Sequence, residues 1–222
     1  MKTGKNNYTI IDDNVIEKIT CVQAFKDANM NIKLHNHHKK LLRYAKNRNS
    51  NKEVGFFWDL NDVEKECLKI KGKLEGFNIS ENPEVNQLIK YNTKVMSVVV
   101  MHNHPRNGLF SRADIRSFID FDTIFLMTAV CNDGTIYILR KERNFNPLLM
   151  EKYYNDGVQL SEKAAYRERM NKAKKLGLDK NNIKDREKIN QLQTKAYYFG
   201  IQNVAKHQKE IGITYRCSVK RK

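Results

Sequence analysis

The chain has 222 residues, 40% of them hydrophobic, enough for one globular core plus an appendage and too few for several full-sized domains. Its apolar runs reach only the length of 97–101 and 123–130, far short of the roughly 18 residues of a membrane helix; no apolar stretch follows the Asn-rich N-terminus, so a cytoplasmic protein without a membrane segment is expected. The formal net charge of +16 is uneven, with +6 on residues 1–150 and +10 on residues 151–222, which favours nucleic acid or an acidic protein surface as partner of the C-terminal part.

Along residues 1–50 the pattern predicts helices around Ile16–Met30 and Lys39–Ala45, and the polar stretch 46–52 reads as a connection. His35-Asn36-His37-His38 precedes two lysines and reads as a solvated basic segment rather than a second metal site. Glu53–Leu60 is aromatic-rich and predicts a strand, its Phe56, Phe57 and Trp58 reading as core. Cys67–Phe77 predicts a strand or hairpin broken at Gly72. Ser80–Glu84, with Pro83, is a helix-start signal ahead of Val85, Leu88 and Ile89. Val95–Met101 is nearly all apolar and β-branched, as in a strand buried on both faces.

Ser111–Phe121 predicts a helix with Ser111 as N-cap. Ile124–Val130 and Thr135–Arg140 flank an Asp133-Gly134 hairpin turn. Beyond Pro147 the chain turns helical and basic, with helices expected over Ser161–Leu176, stopped by Gly177, and Ile183–Phe199. Four scattered cysteines (Cys21, Cys67, Cys131, Cys217) with no Cys-x-x-Cys exclude a zinc ribbon or redox pair, and Cys67 and Cys131 read as small core residues. His207 has no ligand-spaced partner. The expected division is a mostly helical segment 1–50, an α/β catalytic domain 51–143 and a basic helical region 144–222.

The chemistry concentrates in His102-Asn103-His104-Pro105 and Ser111-Arg112-Ala113-Asp114. A catalytic zinc takes about three protein ligands and leaves one position open. Histidines two apart on an extended segment share a face, and Asp114 comes from the first turn of the next helix. Pro105 stiffens the exit, and Gly108 is the residue expected to let the loop fold back. An acid must remain to take a proton from water. Glu53, at the head of an apolar strand, is the choice for that role, with Glu64, Glu66 and Glu75 as alternatives.

This wording resembles the JAMM (JAB/MPN) motif, and among bacterial branches it is most similar to the RadC-like domains, over about residues 53–141. The resemblance implies a cytidine-deaminase-like α/β fold with a mixed sheet flanked by helices. It also implies zinc held by His102, His104 and Asp114, Glu53 as general base toward the metal-activated water, and Ser111 as an oxyanion donor. The implied activity is cleavage of peptide or isopeptide bonds, including those of ubiquitin-like conjugates. Nine residues separate His104 from Asp114, one fewer than the commonest family spacing, and the difference falls in the loop Arg106–Phe110, expected at the surface. A second hypothesis is a RadC-like, mobile-element or DNA-maintenance module that binds nucleic acid and carries a non-proteolytic metal site. A third is a catalytically silent scaffold.

Overall fold

The structure is a computed structural model that describes residues 8–74, 76–92, 94–194 and 198–218. It divides into two compact units, 1–145 with 212–222, and 146–211. The expected segments 1–50 and 51–143 therefore belong to one unit, and the C-terminal region supplies that unit's last strand.

In the first unit, helix α1 (Asp13–Lys18) and helix α2 (Ala28–Arg48) precede strands β1 (Val54–Asp59) and β2 (Leu68–Lys71). Helix α3 (Pro83–Lys90), strand β3 (Val98–His104), helix α4 (Arg112–Asp120), strands β4 (Ile124–Cys131) and β5 (Ile136–Lys141), and finally strand β6 (Ile213–Cys217) follow. The strands form a mixed sheet in the order β2-β1-β3-β4-β5-β6, in which β3 and β4 run parallel and the other neighbours antiparallel. An α/β unit with a mixed sheet and flanking helices is thus as expected.

The N-terminal helices differ from the sequence reading. Residues 19–27 are not helical, and α2 is a single helix of 21 residues. Asp27 caps it, its side chain accepting from the Asn29 N–H. Buried Asn31 holds the irregular segment before it, its Oδ1 accepting from Ala24 N and Phe25 N at 2.8 Å each. Leu34, His38, Leu41, Leu42 and Ala45 recur at helical spacing and face the sheet. His38 is therefore core, not solvated: it is fully buried, with Nε2 3.0 Å from Thr128 Oγ1. His37 lies against Trp58, ring centroids 4.7 Å apart, and its Nδ1 is 3.4 Å from Cys67 Sγ.

Alternation sorts the sheet residues between its faces. Val54, Phe56, Trp58, Val99 and Met101 join the core cluster that contains the apolar face of α2. Gly55, Phe57, Val100, His102 and His104 point to the other face, where α3 and α4 lie. Both layers bury β3 completely, which explains its unbroken apolar run.

In the second unit helix α5 (Pro147–Lys175) is followed by α6 (Ile183–Gln191), α7 (Phe199–Lys206) and α8 (Gln208–Ile211). Helix α5 begins well before the expected Ser161, capped by Asn146. It ends where expected: Gly177 adopts φ 68°, and the bonds Leu178 N to Ala173 O and Gly177 N to Lys174 O close a Schellman turn. The expected helix Ile183–Phe199 stops at Gln191, and its residues 195–197 lie outside the described ones. His207 stacks on Tyr153 at 3.9 Å, a structural contact within this unit.

Candidate metal centre

Strand β3 runs through both histidines rather than ending before them, because its parallel ladder with β4 continues to His104 opposite Cys131. Val95 to Ser97, expected in the strand, form a turn in which Met96 takes φ 50°. His102 and His104 therefore share the α3/α4 face as a matter of strand geometry.

Asp114 arrives from the first turn of α4, where a capping box sets its direction. The Ser111 N–H donates to Asp114 Oδ2 at 2.7 Å, and the Asp114 N–H donates to Ser111 Oγ at 3.2 Å. The same carboxylate reaches the histidines. Oδ1 lies 3.2 Å from His102 Nε2, Oδ2 lies 3.5 Å from His104 Nε2, and the two Nε2 atoms are 2.9 Å apart.

Among the described residues these three form a group able to hold a metal ion. Tetrahedral coordination at 2.0–2.1 Å requires donor atoms about 3.3 Å apart. The two Nε2 atoms are 2.9 Å apart, each faces a different Asp114 oxygen at 3.2 or 3.5 Å, and one ligand atom from each residue lies within 4.8 Å of the others. The tautomer also fits. His104 Nδ1 sits 2.8 Å from Gly108 O, which can only accept, so Nδ1 carries the proton and Nε2 presents its lone pair to the triangle. His102 Nδ1 is buried without a hydrogen-bond partner. An orphaned ring nitrogen of this kind costs about 1–3 kcal/mol, and His102 lacks the acceptor that usually orients a ligating imidazole through its other nitrogen.

The loop 105–110 is short and folded inward. Leu109 and Phe110 are buried, whereas Arg106 is exposed and Asn107 and Gly108 are half-buried, so the loop expected at the surface reaches it only in its first half. The left-handed residue that reverses the chain is Asn107, φ 54°, not Gly108. Asn107 bonds back to His104 O and its amide donates to Thr9 Oγ1, while Thr9 N donates to Pro105 O.

Glu53 immediately precedes β1, in phase with Gly55 and Phe57, so its side chain lies on the site face and lines the same cavity as the three ligand candidates. It is 8% exposed, and its carboxylate makes no hydrogen bond among the described residues. Burial raises its carboxyl above the ordinary range, against the pull of His102 and His104, with Asp114 adding to the rise. For Asp114 burial acts the same way, but the two histidines outweigh it and hold the carboxyl well below the usual range. Burial opposes charge on His102 as well, and there Asp114 and Glu53 prevail and raise it. Of the alternatives, Glu64 pairs with Lys33 and Glu66 with Lys69, away from the cavity; Glu75 lies outside the described residues.

Asn103 and Asn132 escaped the sequence reading. Asn103 Oδ1 accepts from Val54 N at 2.8 Å, and its amide donates to Lys52 O and to Asn132 Oδ1. One side chain thus holds the peptide groups on both sides of Glu53. Asn132 extends the network to Thr9 O and Asn51 O. The one available signal was an amide between two histidines on a buried strand, where a polar side chain must find partners. Gly55, beside His102 in the ladder, also went unremarked. A Cβ there would stand 2.7 Å from Phe77 Cζ, so the glycine admits the ring that lies 6.1 Å from His102.

Comparison of this chain with protein-family models, curated proteins and solved structures finds no match. No helix among the described residues is long and apolar enough to cross a membrane.

Proposed function

We propose that the chain is a zinc-dependent metallo(iso)peptidase or related amide hydrolase with a JAB/MPN-type fold. The observation that carries this reading is the convergence of His102, His104 and Asp114 on one triangle beside a buried, unpaired Glu53. His102, His104 and Asp114 would hold the zinc, which when bound supplies Lewis acidity for a carbonyl and lowers the pKa of water toward about 7.

The remaining roles follow from the residues themselves. Burial strengthens the proton affinity of Glu53, which suits a group that takes a proton from water and delivers it to a leaving amine. The Ser111 oxygen spends a lone pair on the Asp114 N–H, which leaves the hydroxyl proton free to donate to a developing oxyanion. The net +10 on residues 151–222 supports recruitment of a polyanionic partner, nucleic acid or acidic protein, by the C-terminal region.

The test is metal analysis of purified protein with peptide and isopeptide cleavage by wild type and Glu53→Gln. One zinc per chain is expected, with turnover reduced about 10²–10⁴-fold in the variant and metal content retained. Protein that takes up no metal under several reconstitution conditions sinks the reading.

A further inference from the structure

We propose that the apolar cavity beside the metal triangle is a side-chain pocket for one bulky apolar residue flanking the scissile amide. The inference rests on the hydrolase reading above and adds the substrate class. The cavity measures about 450 Å³ and is lined by Glu53, His102, His104 and Asp114 at one end. Phe57, Val100, Ile124, Met127 and Ile89 form its wall. Each of these five is 4% exposed or less, so this side of the cavity is core-quality apolar surface, while Asn78, Ser80, Lys90 and Ser117 also line the cavity.

Strand register fixes how wall and triangle relate. Val100 lies two residues before His102 on the same face of β3, and Phe57 and Met127 are its ladder neighbours on β1 and β4. Two residues of strand place the wall about 7 Å from His102, the reach of a side chain next to a bond cleaved at the triangle. A cavity of about 150 Å³ already accepts a benzene ring, so this one has room for a leucine, methionine or phenylalanine side chain together with its amide. A charged or amide side chain pressed on these five residues would lose its water there without gaining partners from them. Glycine would leave the space unfilled and forfeit the dispersion contacts.

The full-length, zinc-reconstituted protein is assayed on quenched peptides that differ only at the residues flanking the cleaved bond. Leucine, methionine or phenylalanine should give kcat/KM at least about tenfold above serine, aspartate or glycine. Turnover as fast with glycine on both sides, as in a Gly-Gly tail, overturns the pocket while leaving the hydrolase reading intact. A second measurement is independent of turnover. The ¹³C-methyl signal of Met127, assigned with Met127→Leu, is followed during titration with N-acetyl-phenylalaninamide and with N-acetyl-serinamide. A shift with the phenylalanine amide alone supports the pocket, even in protein that cleaves nothing. Equal shifts, or none, overturn it. Val100→Phe, which narrows the cavity, should move the preference from phenylalanine toward valine or alanine; an unchanged preference in folded variant also counts against the pocket.

Discussion

Asn103 occupies the position between the two metal-ligand candidates, and its side chain faces away from them. Through Lys52 O and Val54 N it holds the backbone on either side of Glu53, and through Asn132 it ties that backbone to the β4–β5 hairpin and to Thr9. Its removal leaves a buried Val54 N–H and the Asn132 amide short of partners. Asn103→Leu should therefore cost on the order of 2–4 kcal/mol in urea unfolding, since each unpaired buried group costs about 1–3 kcal/mol. Zinc affinity should change less, because His102, His104 and Asp114 are held by the β3–β4 ladder, the Gly108 carbonyl and the α4 cap instead. A loss of metal binding larger than the loss of stability would show that the network orients the ligands and not only Glu53.

At the level of elements, the sequence displayed the site more completely than the helices around it. Ser111 and Asp114 carry their own cap signal, and the His-x-His pair follows from strand parity, so local rules sufficed. Helix α5 runs through Gly157, ahead of the start expected at Ser161. The glycine is a contact point, since a Cβ there would stand 2.3 Å from Phe199 O on α7. Only tertiary structure reveals that requirement. The same holds for α2, whose histidine run looked solvated because polar residues on a helix usually are. Burial against Thr128, with His35 and His37 nearby, lowers His38 to about 3 from an ordinary 6.5. The unfolded chain then binds a proton that the folded one refuses between those values. This contribution to stability is complete above pH 6.5 and disappears as pH falls toward 3, on the order of 5 kcal/mol in total. Denaturant unfolding from pH 7 to 3 should show a weaker acid dependence in His38→Gln than in wild type. An identical slope would place the acid sensitivity elsewhere.

At the scale of the molecule, the single tryptophan is a reporter for one unit. Trp58 is fully buried between the sheet and α2, so its fluorescence follows the unit that carries the candidate metal centre. Zinc at 100 times its Kd should stabilise that unit by about 2.7 kcal/mol, which corresponds to a rise of roughly 5–10 °C in the tryptophan-detected Tm. Chelation should reverse the shift, and a Tm indifferent to zinc would argue that the triangle holds no metal.

The chain order of the sheet has a consequence for biosynthesis. Strand β6 pairs with β5 through five register positions, yet the whole second unit, residues 146–211, is translated between them. At about 5–20 residues per second, β5 waits roughly 3–13 s for its neighbour. During that interval its outer edge offers unpaired backbone groups to other nascent chains or to a chaperone. The sheet of the first unit is thus completed only after the whole helical unit has been translated.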